Sequence, residues 1–205
     1  MRMKRFGAVL LAAGLSSRFA RGDKLLQSYR GHPLLYWALT NLERAHLAEC
    51  VVVVGPENDE KPTLVARLPF ALATNLNPAA GMGSSIAIGV AALTTALDGI
   101  FICLGDMPDV EPATFVQLVE SFAIAEGAAI VAPVYRGRRG HPVLFAPAYR
   151  EALCALTGDQ GARAVVDSAS TLVTIEVDTP GVLRDIDTVA DMAELGAPEA
   201  PPASA

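Results

Sequence analysis

The side chains that could do chemistry sit in six short segments. The first is Leu11-Ala12-Ala13-Gly14-Leu15-Ser16-Ser17-Arg18, followed by Lys24. A small-residue loop of this kind presents backbone N–H groups, and Gly14 lets a ligand approach the backbone closely. Arg18 and Lys24 add fixed positive charge, so the expected guest is a polyphosphate. Only three lysines occur in the chain, and one stands here. The segment is neither a Walker A loop nor a dinucleotide fingerprint, because GxxxxGK[ST] and GxGxxG are both missing.

The second segment, Gly105-Asp106-Met107-Pro108-Asp109, follows an apolar run. A carboxylate at the tip of a central strand points into the ligand crevice of an open α/β sheet, and carboxylates with phosphate partners are typical Mg²⁺ ligands. Asp106 is therefore a candidate metal ligand, whereas Asp109 reads as a turn or helix-capping residue. In the third, Asp185-Ile186-Asp187, two carboxylates alternate about an apolar residue. On an extended backbone both face one side and could join Asp106 around a hard cation. Equally, they could cap the helix expected from Thr188.

The fourth segment runs Asn77-Pro78, then Gly81-Met82-Gly83-Ser84-Ser85. Its glycines and serines suggest close approach of a ligand to a helix start. The fifth spans residues 137–143 with Arg136, Arg138, Arg139, Gly140 and His141, and the sixth is Gly158-Asp159-Gln160-Gly161-Ala162-Arg163. Alone, these two read as an exposed turn and a helix boundary.

Strands and helices must alternate to position these segments. Strands are expected over Phe6–Leu11, 50–54, 70–74, 100–104, 128–133 and 172–177. Helices are expected over 33–45, 57–68, 84–97 (capped by Ser84 or Ser85), 112–126, 147–156, 162–168 and 188–195. Residues 134–145, with Gly137, Gly140 and Pro142, read as a hairpin-like excursion. The valine run of 50–54 suits a parallel strand buried on both faces. The whole predicts an α/β fold, a mainly parallel central sheet with helices on both faces. Residues 1–195 form one domain in this reading, and 196–205 form a disordered Ala/Pro-rich tail.

Composition narrows the classes. The chain has 205 residues, 52% of them hydrophobic, and a formal net charge of −6. A general nucleic-acid binder would be basic, so that class is excluded. Local basic loops on an acidic body suit a small anionic ligand. No apolar run is long enough for a membrane span, so a soluble protein is expected. Arg2, Lys4 and Arg5 before an apolar stretch resemble a secretory leader, but Gly7 and Gly14 interrupt it and it supplies the first strand. Cys50, Cys103 and Cys154 form no CxxC pair and are expected to be buried free thiols in a reducing cytoplasm. His32, His46 and His141 show no metal-binding spacing.

Together the six segments resemble the molybdopterin nucleotidyltransferase family, most closely its molybdenum cofactor cytidylyltransferase branch, over roughly residues 6–195. Leu-Ala-Ala-Gly-x-Ser-x-Arg with a following Lys is shared by many nucleotidyltransferases. Asn-Pro with Gly-Met-Gly-Ser-Ser, Gly-His-Pro-Val, Gly-Asp-x-Gly-Ala-Arg and Asp-Ile-Asp-Thr are more specific to the cofactor branch. Ala13 resembles the cytidine-using version, where guanylyl-transferring relatives usually carry Gly. A departure is Ala20 in place of a common Gly, with Lys24 one residue further on than usual.

The resemblance implies a three-layer Rossmann-like nucleotidyltransferase fold and transfer of CMP from CTP to the terminal phosphate of the molybdopterin cofactor. Arg18 and Lys24 would hold the β- and γ-phosphates. Mg²⁺ would sit on Asp106 and on Asp185 or Asp187. Leu11, Ala12, Ala13 and Gly14 would line the nucleotide, and Gly81, Gly83, Ser84 and Ser85 would lie near the base or ribose. Gly140, His141, Asp159 and Arg163 would face the pterin. A molybdoenzyme of the xanthine dehydrogenase type, or its insertion chaperone, is the implied partner. Two alternatives are a transferase using GTP or another phosphorylated acceptor, and a non-catalytic cofactor-binding chaperone.

Overall fold

The computed structural model describes residues 4–14, 22–56, 60–94, 96–125 and 129–196. Ten strands occur among them: β1 (Phe6–Leu11), β2 (Ser28–Tyr29), β3 (His32–Pro33), β4 (Glu49–Val54), β5 (Ala71–Thr74), β6 (Gly99–Leu104), β7 (Ile130–Tyr135), β8 (Arg138–Arg139), β9 (Val143–Phe145) and β10 (Leu172–Glu176). The helices are α1 (Leu34–Arg44), α2 (Lys61–Val65), α3 (Met82–Ala92), α4 (Pro112–Ile124), α5 (Arg150–Cys154), α6 (Arg163–Asp167) and α7 (Val189–Gly196).

The main sheet runs β10-β7-β9-β6-β1-β4-β5, with β8 hydrogen-bonded to β7. All its pairings are parallel except those of β8 and β9. Those two come from the excursion expected over 134–145. Arg136 and Gly137 both have positive φ, the geometry of a tight two-residue hairpin turn. β1 lies between β4 and β6, so the chain leaves β1 where the strand order reverses. Ligands bind at the carboxyl end of such a switch point.

Alternation within the strands makes two cores. Ala8, Leu10, Val52 and Val54 pack with Leu35 and Leu39 of α1, Val65 of α2, and Leu118 and Phe122 of α4. Val9, Val51 and Val53 pack with Ile86 and Val90 of α3, Leu153 of α5, and Val165 and Val166 of α6. Helices therefore cover both faces, as expected of strands buried on both sides.

Boundaries differ in places. α3 begins two residues before Ser84 and ends at Ala92, and its N-cap is Gly81, not Ser84 or Ser85. α2 covers only Lys61–Val65. Residues 57–59 of the longer helix expected there lie outside the described residues, as does the tail from 197 onward. Helix α7 extends through Gly196. Cys50 and Cys103 are buried, but Cys154 is exposed because it ends a short surface helix. No helix among the described residues is long and apolar enough to cross a membrane.

Helix α3 approaches the sheet through Gly89. A Cβ there would run into Val9 and would lie 2.8 Å from Val53 Cγ2. Neither short, buried valine can swing aside. Gly89→Val is expected to destabilise the fold by about 2–3 kcal/mol, in the range of overpacked cores. A urea unfolding midpoint equal to the wild type would contradict this packing.

Candidate active site

Three chain segments meet at one nitrogen. Lys24 lies in a 3-10 turn, Lys24–Leu26, just after the first loop. Its Nζ donates to Asp106 Oδ2 and to Asp187 Oδ1, both at 2.8 Å. Asp106 follows β6, as the strand-tip argument requires. The stretch before α7 is held against it by a hydrogen bond from Ile186 N–H to the Asp106 carbonyl, 3.0 Å. Ile186 is fully buried, Asp187 is half-buried and meets Lys24, and Asp185 is exposed. Capping of α7 falls to other residues: Asp191 Oδ2 accepts from Thr188 N–H at 2.7 Å and from Asp187 N–H at 3.0 Å, and Thr188 Oγ1 accepts from Asp191 N–H. That reciprocal box leaves the Asp187 carboxylate for the site.

Burial acts to lower the pKa of the Lys24 ammonium, but the Asp106 and Asp187 carboxylates outweigh it and hold the pKa above its ordinary value. Lys24 is therefore a fixed cation. Asp106 and Asp187 are hard oxygen donors converging on one point, a donor set that suits Mg²⁺, which takes one or two carboxylates beside phosphate oxygens. No group of three or more such ligands occurs among the described residues.

This centre lies at a cavity of about 290 Å³ lined by Leu11, Ala13, Gly14, Lys24, Ser85 and Asp106, among others. Ala12 is buried and does not line it. Among the described residues, nothing beyond its chain neighbours lies within 4 Å of a Cβ placed at Gly14, and Gly14 lines the cavity. Arg18, Ser16 and Ser17 lie outside the described residues.

The glycines of the fourth segment also make room for another stretch of the chain, while Gly81 lines the cavity. Gly81 has φ +97°, and a Cβ there would collide with the Gly158 backbone. Gly83 donates its N–H to Gly158 O at 2.8 Å, and a Cβ there would sit 2.8 Å from Thr157 C and O. Their bareness admits the 157–159 loop, which brings Asp159 to the cavity wall. Ser84 and Ser85 both accept from Asn75 Nδ2 at 2.9 Å. Sequence reasoning missed Asn75, an amide only 2% exposed that follows β5.

The fifth and sixth segments form a second cavity of about 250 Å³, lined by Arg139, Gly140, His141, Gln160, Gly161 and Arg163, among others. Met82 and Leu104 line both cavities, so the two adjoin. Arg139 and Arg163 share Asp167 at 3.8 and 3.5 Å. Half-buried His141 has a lowered pKa, desolvation outweighing the Ile102 carbonyl and the charges of Asp106 and Asp185. Its buried Nδ1 has no hydrogen-bond partner among the described residues.

Asp109 lies in a turn, as expected, and caps no helix among the described residues. It pairs with Arg30 at 2.8 Å and lies 3.8 Å from Arg184. These residues line a wide groove of about 770 Å³ that shares no residue with either cavity. Arg30 also donates to the Leu195 carbonyl at 2.8 Å, as Tyr29 does. Arg30 thus ties one wall of the groove to the end of α7.

The sequence matches the MobA-like NTP transferase domain family over residues 8–189, and the chain belongs to that family. It is 31% identical to the nicotine blue oxidoreductase of Paenarthrobacter nicotinovorans over 91% of this chain and 94% of that protein. It is 34% identical to a probable molybdenum cofactor guanylyltransferase of Thermococcus kodakarensis, over 61% of this chain and 57% of that protein. The crystal structure of Rv0371c from Mycobacterium tuberculosis H37Rv is 26% identical and superposes with a TM-score of 0.80, covering 95% of this chain and 98% of that one. Family and fold support nucleotidyl transfer as the activity class.

His141 gives the site a pH signature. Its folded-state pKa lies below the unfolded value near ~6.5, so the unfolded chain takes up the proton first. The stabilisation is complete above that value and is lost as pH falls toward the folded pKa. Between about pH 7.5 and about pH 5.5 the wild-type melting temperature should fall more than that of His141→Phe. Parallel slopes would contradict an imidazole held neutral in the fold.

Proposed function

We propose that this protein transfers CMP from CTP to the terminal phosphate of the molybdopterin cofactor and releases pyrophosphate, with residues 1–195 acting as one transferase domain. The observation that carries the reading is the convergence of Asp106 and Asp187 on Lys24 Nζ, beside a cavity that Lys24 and Asp106 line together with Ala13 and Gly14. The guanylyltransferase relative supports a molybdenum cofactor acceptor.

The acceptor phosphate has a second pKa near ~6 and is largely ionised at neutral pH, so it needs no general base. The protein's task is positioning and charge neutralisation. A Mg²⁺ held by Asp106 and Asp187 would supply part of that neutralisation. Lys24 would exchange its carboxylate partners for the β- and γ-phosphate oxygens, beside Arg18. Gly14 would admit a phosphate, and Gly81 and Ser85 would border the nucleoside. The adjoining cavity, with Gly140, His141 and Arg163, would take the pterin, and the product would pass to a molybdoenzyme or its insertion chaperone.

A redox conversion like that named for the P. nicotinovorans relative is the second reading, favoured by that protein's near full-length match. One fold can host both. Pyrophosphate release separates them: with CTP, molybdopterin and Mg²⁺, Asp106→Ala should abolish release while the fold survives. An unchanged rate would remove Asp106 from the site.

Nucleotide choice tests the finer claim. Ala13 is buried in the wall of the first cavity. Its methyl group narrows the room for a purine, an effect of ~1–3 kcal/mol or about 10–200-fold. CTP should therefore be preferred over GTP in kcat/KM, and Ala13→Gly should narrow the ratio. A wild-type preference for GTP would refute the cytidylyl reading and leave nucleotidyl transfer standing.

A further inference from the structure

Lys61 opens α2, and its side chain is only 2% exposed. Burying a lysine is costly unless it is paired. Its Nζ lies 2.7 Å from Asp23 Oδ2. The other carboxylate oxygen of Asp23 accepts from Leu25 N–H at 2.9 Å and caps the 3-10 turn. The Asp23 carbonyl accepts from Leu26 N–H at 3.2 Å and from Gln27 Nε2 at 3.3 Å. Asp23 is thus held at every oxygen, and the next residue is Lys24.

We infer that Lys61, acting through Asp23, is a positioning residue for Lys24. Lys61 is absent from the lining of both cavities, so it does not act by touching a ligand there. Lys24 carries a long, flexible stem, and an exact placement of its Nζ requires a fixed backbone at its root. The Asp23 cap fixes that root, and the buried Lys61 charge fixes Asp23 against α2. Lys61 thereby links the wall behind β4 to the nitrogen shared by Asp106 and Asp187. The inference rests on the proposed role of Lys24 at the phosphates.

Four variants test it: Lys24→Ala, Lys61→Met, Lys61→Arg and the double variant Lys24→Ala/Lys61→Met. CTP binding by calorimetry and Mg²⁺-dependent pyrophosphate release are measured for each, with circular dichroism to follow folding. Lys61→Met should weaken CTP binding and lower kcat by about 10–100-fold, the scale of a small misplacement. Lys61→Arg should recover part of the loss. The double variant should be no worse than Lys24→Ala alone, because the two act as one unit. If Lys61→Met does not fold, Asp23→Asn tests the same link: it keeps the cap acceptor, loses the charge pair and should show the same loss. Wild-type kinetics in Lys61→Met (or in Asp23→Asn) beside a defective Lys24→Ala, or losses that multiply in the double variant, would overturn the positioning role. Wild-type CTP binding by Lys24→Ala would overturn the site reading itself, and the positioning role with it.

Discussion

One ammonium group shared by two carboxylates organises this protein. Lys24, Asp106 and Asp187 are far apart in sequence, yet both bonds to Nζ are 2.8 Å long. Part-buried charges of this kind are tolerated when each meets an opposite partner, and breaking such a set is costly because a charge is left behind. The fold supplies the convergence. β1 and β6 pair side by side, so the loop after one and the aspartate after the other emerge at the same sheet edge. Ile186 then anchors the segment before α7 by burying its side chain and donating its N–H to Asp106.

Close backbone packing makes the second half of the site. The 157–159 loop sits against the start of α3 because Gly81 and Gly83 leave room for it. That contact brings the two cavities together, with Met82 and Leu104 lining both. A site that joins two substrates profits from adjacent, prepositioned compartments, since orientation alone can lower a barrier substantially. The second cavity differs in character. It presents Arg139 and Arg163 at its rim and a neutral His141 within.

Much of this was legible in the sequence. Unbroken apolar strands separated by helical patterns gave the parallel sheet, because burial on both faces leaves no polar alternation to misread. Asp106 could be placed because it directly follows such a strand. Asp185 and Asp187 could not be separated, since strict alternation puts both on one side, whereas in the structure Asp185 is exposed and Asp187 meets Lys24. The glycines of the fourth segment were visible, but the neighbour they admit is distant in sequence. Asn75, Asp23 and Lys61 were missed for the same reason. Each acts through a long-range hydrogen bond or ion pair that leaves no periodic trace.

The direct test is cation binding in the presence of CTP, with Mn²⁺ as the probe and electron paramagnetic resonance as the readout. The shared nitrogen at Asp106 and Asp187 predicts that Asp187→Asn loses the bound-metal signal while Asp185→Asn, at an exposed position, retains it. Loss of the signal in Asp185→Asn with retention in Asp187→Asn would contradict a centre built around Lys24.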